Sequence, residues 1–219
     1  MEKEFWLNVW EDGSRLGFHQ ENYHTLLLRY FTKLETKLGS RILVPLCGKT
    51  WDLEWLENKG LDVHGVELSP IAVKSYFTER GLEYHCRGSQ NHAIHSSRHI
   101  HIHCGDFFHL QEEQTGKIDA VWDRASLIAL PAPTREFYYK HMTELLKPGA
   151  KWLLVTVDYR QEFMAGPPFA VHEEEVRTHC EKNFEIERLE TLTFHPQGEK
   201  FENAGVREMG QKVFILTRK

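Results

Sequence analysis

The stretch Ile42-Leu43-Val44-Pro45-Leu46-Cys47-Gly48-Lys49-Thr50 reads as strand, tight turn and helix start, and three kinds of cofactor could use such a turn. A dinucleotide needs Gly-x-Gly-x-x-Gly so that backbone can approach its pyrophosphate, and here Gly48 is the sole glycine. Gly48-Lys49-Thr50 matches the end of a P-loop. The full phosphate cradle requires a glycine at position 43, where the chain has Leu43, and Pro45 removes a backbone N–H from that cradle. S-adenosylmethionine carries no phosphate and needs one close backbone approach beside its amino-acid part, which Gly48 can supply. Glu67 closes the next apolar run. A carboxylate at a strand end can accept hydrogen bonds from both hydroxyls of a ribose, as in nucleotide-binding α/β sheets; otherwise it is a solvated residue before a helix.

Two further groups suit a sulfonium donor. Methyl transfer is an in-line displacement, so the protein must align sulfur, methyl and nucleophile and exclude water. Trp6 and Trp10 stand four apart, and a helix would present both on one side, where an aromatic face can meet a cation or an adenine. The alternative is a hydrophobic staple that docks the N-terminus on the core. Arg124 follows the apolar run 118–122. A thiol acceptor reaches its thiolate near neutral pH without a strong base, so a positive group that favours the anion suffices. Arg124 fits that role, or else pairs with Asp123 as a surface salt bridge.

Positioning these residues requires strands that end where they stand. The apolar spacing predicts a helix over 22–38 ended by Gly39, a buried strand over 41–46, a helix over 51–58 and a strand over 62–68. Ser69-Pro70 is an N-cap followed by proline in the first turn, opening a helix to Arg80. A strand over 118–122, a helix over 135–146 and a strand over 151–158 follow, and the runs 184–194 and 212–217 read as an antiparallel pair. Alternating strand and helix implies a parallel sheet covered on both faces. Its ligands sit beyond the carboxyl ends of the strands, in the loops 46–50, 67–69 and 123–125.

The chain has 219 residues, of which 41% are hydrophobic and 12% aromatic, enough for one large core. Its net charge of -5, with no long basic run, argues against a nucleic-acid partner. No secretory signal opens the sequence and no apolar stretch is long enough to span a bilayer. Four unpaired-looking cysteines, Cys47, Cys86, Cys104 and Cys180, point to a reducing compartment, so a cytoplasmic protein is expected. With no assembly motif, a monomer is expected too.

Pro45-Leu46-Cys47-Gly48-Lys49 with Trp55, then Gly65-Val66-Glu67-Leu68-Ser69, closely resembles the thiopurine S-methyltransferase family. Trp6-x-x-x-Trp10, Gly17-Phe18-His19, Trp122-Asp123-Arg124, Gly166-Pro167-Pro168-Phe169 and Lys212-Val213-Phe214-Ile215-Leu216 extend the likeness over nearly the whole chain. The resemblance implies a class I methyltransferase fold: a Rossmann-like, seven-stranded, mostly parallel α/β sheet with helices on both faces and a C-terminal antiparallel strand pair. One domain, 1–219, is expected, with 1–38 a helical segment covering the cofactor site. S-adenosylmethionine would be the methyl donor and S-adenosylhomocysteine the product. The implied cofactor contacts are Trp10, Leu46 and Glu67, beside the Gly48 read from the turn itself, with Asp106-Phe107 near the adenine and Arg124 beside the transfer centre.

The implied acceptor is a small thiol, aromatic or heterocyclic, such as a thiopurine. Halide, thiocyanate, sulfide or selenium and tellurium species form a second acceptor class, and a non-catalytic nucleotide- or metal-binding module a third reading. Phe18, Pro168 and Phe169 would wall a flat acceptor, or else belong to the core. His19 would assist proton removal or serve structure. Relatives tend to carry an arginine near the acceptor; this chain offers Lys200 or Arg207. A departure from the family is the histidine-rich run from His92 to His103. His99, His101 and His103 alternate with Ile100 and Ile102, so a strand would align three imidazoles, a spacing open to zinc or nickel. Physiological sites draw ligands from separate elements with supporting hydrogen bonds, so a polar strand face is expected rather than a metal. Cys47 is expected to be a small buried filler.

Overall fold

A computed structural model of the chain describes residues 3–13, 19–89 and 91–219. The strands β1 (Arg41–Val44), β2 (Asp62–Glu67), β5 (Ile100–Cys104), β6 (Ile118–Asp123) and β7 (Leu146–Asp158) lie parallel in the order β5-β2-β1-β6-β7. The final strand β9 (Met209–Arg218) runs antiparallel to β7 and pairs outward with β8 (Phe184–Phe194), the expected C-terminal pair. The chain leaves β1 toward β2 on one side and is joined by β6 on the other. The carboxyl edge between them is therefore the switch point at which a crevice must form.

The expected count of seven strands is corrected to nine among the described residues. β3 (His85–Gly88) and β4 (Ala93–Ser97) form a hairpin that adds antiparallel to the β5 edge. Every residue of β3 is exposed and Ile94 alone is buried in β4. An edge ladder held by backbone bonds carries no apolar alternation, so the hydrophobic pattern does not signal it.

Both sheet faces are covered. Helices α2 (Thr25–Tyr30), α3 (Asp52–Asn58) and α4 (Pro70–Glu79) pack Leu27, Leu53, Leu56 and Phe77 against Ile42, Val63 and Trp122. On the opposite face α6 (Ala132–Leu145) and α7 (Glu173–Cys180) pack Tyr138, Met142 and Val176 against Leu43, Val121 and Trp152. Ser69 caps α4 as expected, accepting from the Ala72 N–H at 3.3 Å. The expected helix over 22–38 is shorter. After α2 a 3₁₀ turn runs Phe31–Leu34, and Glu35 at φ 50° closes it by donating its N–H to the Thr32 carbonyl. This left-handed cap stops the helix before Gly39 is reached. No helix among the described residues is long and apolar enough to cross a membrane.

Asp52, at the start of α3, ties this architecture together. It is buried, and its carboxylate accepts from the His24 N–H and from Trp122 Nε1, both at 2.8 Å. Replacement by alanine strands two buried donors, each at about 1–3 kcal/mol. Asp52→Ala is therefore expected to lower unfolding stability by about 3 kcal/mol in urea denaturation, and a loss well under 1 kcal/mol would show that the node is not structural.

Candidate active site

The turn after β1 is built around left-handed backbone. Leu46 and Gly48 lie at φ 47° and 54°, a conformation glycine adopts freely and leucine at a cost of about 1 kcal/mol or more. The turn is locked by two bonds to β2. The Cys47 N–H donates to the Val66 carbonyl at 2.9 Å, and the Gly48 N–H donates to Glu67 Oε2 at 2.8 Å. The Ser69 N–H donates to Glu67 Oε1 at 2.7 Å. Glu67 is 6% exposed. Burial pushes its pKa up, the N–H groups of Ser69 and Gly48 oppose the rise, and it settles at about 7. A carboxylate has roughly four lone-pair sites; the backbone occupies one on each oxygen.

The N-terminal helix α1 (Lys3–Asp12) joins two of these loops. Trp10 is buried, and a Cβ added to Gly48 would lie 2.9 Å from its ring. At the other end of α1, Lys3 Nζ sits 2.7 Å from Asp106 Oδ2. Asp106 Oδ1 accepts from the Phe108 N–H at 3.1 Å and so caps a 3₁₀ turn. Desolvation by burial is outweighed by Lys3 and the Phe108 N–H, which hold the Asp106 carboxyl below its usual pKa. The Phe107 side chain turns into the core, with ring centroids 4.8 Å from Tyr138 and 5.1 Å from His141. Its neighbour Phe108 instead lines a cavity of about 380 Å³ together with Lys3, Asp106, Phe137 and His141.

The loop after β6 meets the loop after β1 through Ser126, whose hydroxyl donates to the Pro45 carbonyl at 2.6 Å. Ala125 between them is left-handed at φ 62°. The alternative surface pair of Asp123 with Arg124 does not form: Asp123 is fully buried and accepts from Tyr138 OH at 2.7 Å, Trp152 Nε1 at 3.1 Å and the Leu127 N–H at 3.4 Å. Burial raises its pKa to about 6. Arg124 is half-buried; burial lowers its pKa while Asp52 opposes the change. An arginine starts above about 12, so it remains a cation. Burial, aided by Arg124, pushes His24 down to about 4, and burial with Lys49 lowers His19. The strand end thus presents the Arg124 cation near two neutral imidazoles.

Of the expected acceptor walls, Phe18 lies outside the described residues. Pro168 and Phe169 are half-buried. The Phe169 ring occupies the space where Gly166 lacks a Cβ, its N–H donates to the Ile128 carbonyl at 2.7 Å, and Tyr159 OH donates to the Pro168 carbonyl at 2.6 Å. Lys200 Nζ donates to the Pro167 carbonyl, whereas Arg207 is exposed. Lys200 is therefore the tail cation that reaches this loop. Sequence reasoning missed Asp52, Ser126 and the buried role of Asp123, which depend on partners 70, 81 and 29 positions away.

The histidine run divides. His101 and His103 share a sheet face with His64 of β2: His64 Nδ1 and His103 Nε2 are 3.1 Å apart, and His101 Nε2 is 3.2 Å from Asp62 Oδ1. His99 precedes β5 and does not join them. Among the described residues no group of three or more His, Cys, Asp or Glu is arranged to hold a metal ion. Cys47 is buried, its sulfur 2.8 Å from where a Gly65 Cβ would stand, so it fills the space that glycine leaves.

A parallel sheet with a buried glutamate closing its second strand, a glycine turn against it and a cation at the fourth parallel strand's end defines an S-adenosylmethionine-dependent methyltransferase of class I fold. Solved structures share the fold. A Burkholderia thailandensis 1,6-didemethyltoxoflavin-N1-methyltransferase with bound S-adenosylhomocysteine is 12% identical with a TM-score of 0.65, over 99% of this chain and 87% of its own. A protein of echinomycin biosynthesis is 15% identical with a TM-score of 0.67, over 100% of this chain and 93% of its own. The profile described as Thiopurine S-methyltransferase (TPMT) matches residues 1–219, and the chain belongs to that family. Thiopurine S-methyltransferases of Nitrosospira multiformis and Bordetella petrii are 39% and 40% identical to it, over 99% and 100% of this chain and 98% and 99% of their own lengths.

The carboxylate at the centre of the site provides a direct check. In carbon-detected NMR of the free protein, one carboxyl is expected to titrate near pH 7, and Glu67→Gln should abolish that step. A Glu67 midpoint in the ordinary carboxylate range would contradict the buried geometry.

Proposed function

We propose that this methyltransferase acts on the sulfur of small aromatic or heterocyclic thiols, of which thiopurines are one kind. The observation that carries the reading is the polarity of the edge around Arg124. Three buried carboxylates stand nearby, and each is already engaged: Asp52 by the His24 N–H and Trp122, Glu67 by Gly48 and Ser69, Asp123 by Tyr138 and Trp152. Beside them stands the Arg124 guanidinium, close enough to His19 and His24 to help keep both imidazoles neutral. Such an edge favours an acceptor that arrives as an anion and does not need a strong base, which describes an acidic thiol or thione better than an alcohol or amine.

The residues present fit the methyl donor. Glu67 keeps a free lone-pair site on each oxygen for the ribose hydroxyls, Gly48 offers backbone without a side chain beside Trp10, and the Asp106 turn stands at the next strand end for the adenine. S-adenosylmethionine, when bound, supplies an electrophilic methyl on a sulfonium. Arg124 holds the acceptor's negative charge, directly or through water, and in a half-buried setting its field is less screened than in solvent. His19 accepts a proton from an acceptor that arrives neutral. Pro168 and Phe169 wall a flat ring, with Lys200 reaching their loop from the tail to meet an acidic substituent. Helix α1 closes the edge by resting Trp10 on Gly48 and Lys3 on Asp106, which keeps water from the transfer.

Calorimetry tests the donor half: S-adenosylhomocysteine should bind and ATP should not, and Glu67→Ala should weaken binding about 100-fold, the loss of two charge-assisted hydrogen bonds. Ionised Glu67 accepts both hydroxyls and protonated Glu67 one fewer, so affinity should rise as the pH climbs through about 7. Glu67→Gln should flatten that rise. For the acceptor half, radiolabelled methyl transfer over aromatic thiols, halides, sulfide and selenium species should favour the thiols. Arg124→Ala should cut kcat about 10- to 100-fold with the fold intact. Unchanged turnover across the panel would remove Arg124 from the chemistry.

A further inference from the structure

The hairpin of β3 and β4 is the part of the sheet that a seven-stranded methyltransferase does not need, and it delivers a histidine to the loop after β5. Its turn is closed by Ser89, whose N–H and hydroxyl both donate to the His92 carbonyl, at 2.7 and 2.9 Å. The His92 side chain is 3% exposed. It lies where Gly105 has no Cβ: a methyl there would come within 2.6 Å of His92 Cδ2 and 2.7 Å of the Asn91 carbonyl oxygen. Any larger residue at 105 would drive the turn and the loop apart.

The hydrogen bonds fix which ring nitrogen carries the proton. Gln114 Oε1 accepts from the Gln111 N–H at 3.0 Å, so its other terminal atom is the NH₂. That NH₂ donates to Ser89 Oγ at 2.8 Å and to His92 Nδ1 at 3.1 Å. His92 Nδ1 is then an acceptor, and the proton sits on Nε2, which donates to the Asp106 carbonyl at 3.1 Å. Burial lowers the pKa of this imidazole, which keeps the single-proton form. The same Asp106 carbonyl accepts from the His109 N–H at 2.9 Å, and the Gly105 N–H donates to the Glu67 carbonyl at 2.9 Å. The loop is thus held from β2, from its own 3₁₀ turn and from the hairpin.

We infer that His92 is a positioning residue for the methyl donor's adenosyl group: carried on the added hairpin and oriented by Gln114, it pins the Asp106 carbonyl so that the Gly105–Phe108 loop is set before the donor arrives. The inference rests on the proposed placement of the adenine at Asp106. His92 itself touches no substrate. A preset loop spares the ordering cost that a mobile one would bring to binding. This gives the histidine-rich segment a role that involves neither a metal nor proton transfer.

The test uses the full chain, with S-adenosylhomocysteine affinity by calorimetry and steady-state methyl transfer. His92→Leu removes the N–H and should raise the KM for S-adenosylmethionine and the Kd for S-adenosylhomocysteine about tenfold, with kcat at saturating donor within about twofold. His92→Gln places an amide N–H where Nε2 stood and should restore affinity to within about threefold of wild type. His92→Asn, polar but too short to reach Asp106, should behave like the leucine variant and carries the test if His92→Leu fails to fold. Equal affinity in all four proteins, or a glutamine variant as weak as asparagine, would overturn the positioning role while leaving the donor site in place. Wild-type protein that binds no S-adenosylhomocysteine would overturn the donor site and this inference with it.

Discussion

Removing a carboxylate from water costs several kcal/mol unless donors replace the lost hydration. Glu67 meets that condition with backbone alone: the N–H groups of Gly48 and Ser69 bind one oxygen each. The arrangement does more than tolerate the charge. Gly48 belongs to the turn after β1 and Ser69 to the cap of α4, so the carboxylate sets the relative position of two strand ends and a helix start. The left-handed turn at Leu46 and Gly48 is the backbone path that points the Gly48 N–H at Glu67. Trp10 can lie close against that turn because Gly48 has no side chain.

The rest of the carboxyl edge follows the same economy of buried charge. Asp52 and Asp123 are both buried at strand or helix ends, and each is surrounded by neutral donors, an indole N–H in both cases. Arg124 stands at the same edge as a cation, near histidines held neutral by burial. Ser126 draws its loop against Pro45, so the Arg124 loop and the glycine turn are joined by a direct hydrogen bond. Two non-glycine residues in left-handed backbone, Leu46 and Ala125, store strain at this edge, and such strain persists only where the surroundings over-determine it.

On the far side of β2 the sheet has grown. β3 is exposed and β4 half-buried with Ile94 alone in the core, and both extend the sheet by backbone pairing. Their contact with the rest of the site runs through the turn at Ser89–His92 and the bare Gly105. Two other histidines of the segment, His101 and His103, join His64 and Asp62 on the sheet face.

The sequence by itself determined the alternation of strand and helix, the family, the methyl donor, and the strand-end places of Gly48, Glu67 and Arg124. These depend on local periodicity and on motifs within a few residues of one another, which one chain displays directly. The antiparallel end pair and the Ser69 cap were legible for the same reason. The tertiary structure alone decided the ninefold strand count, since exposed edge strands leave no hydrophobic trace. It alone turned Asp123 and Phe107 into the core, selected Lys200 over Arg207 at the Pro167 loop, and brought His92 to Asp106 through Gln114. Each of these depends on which distant side chain satisfies a buried polar atom, and that is settled only when the layers close.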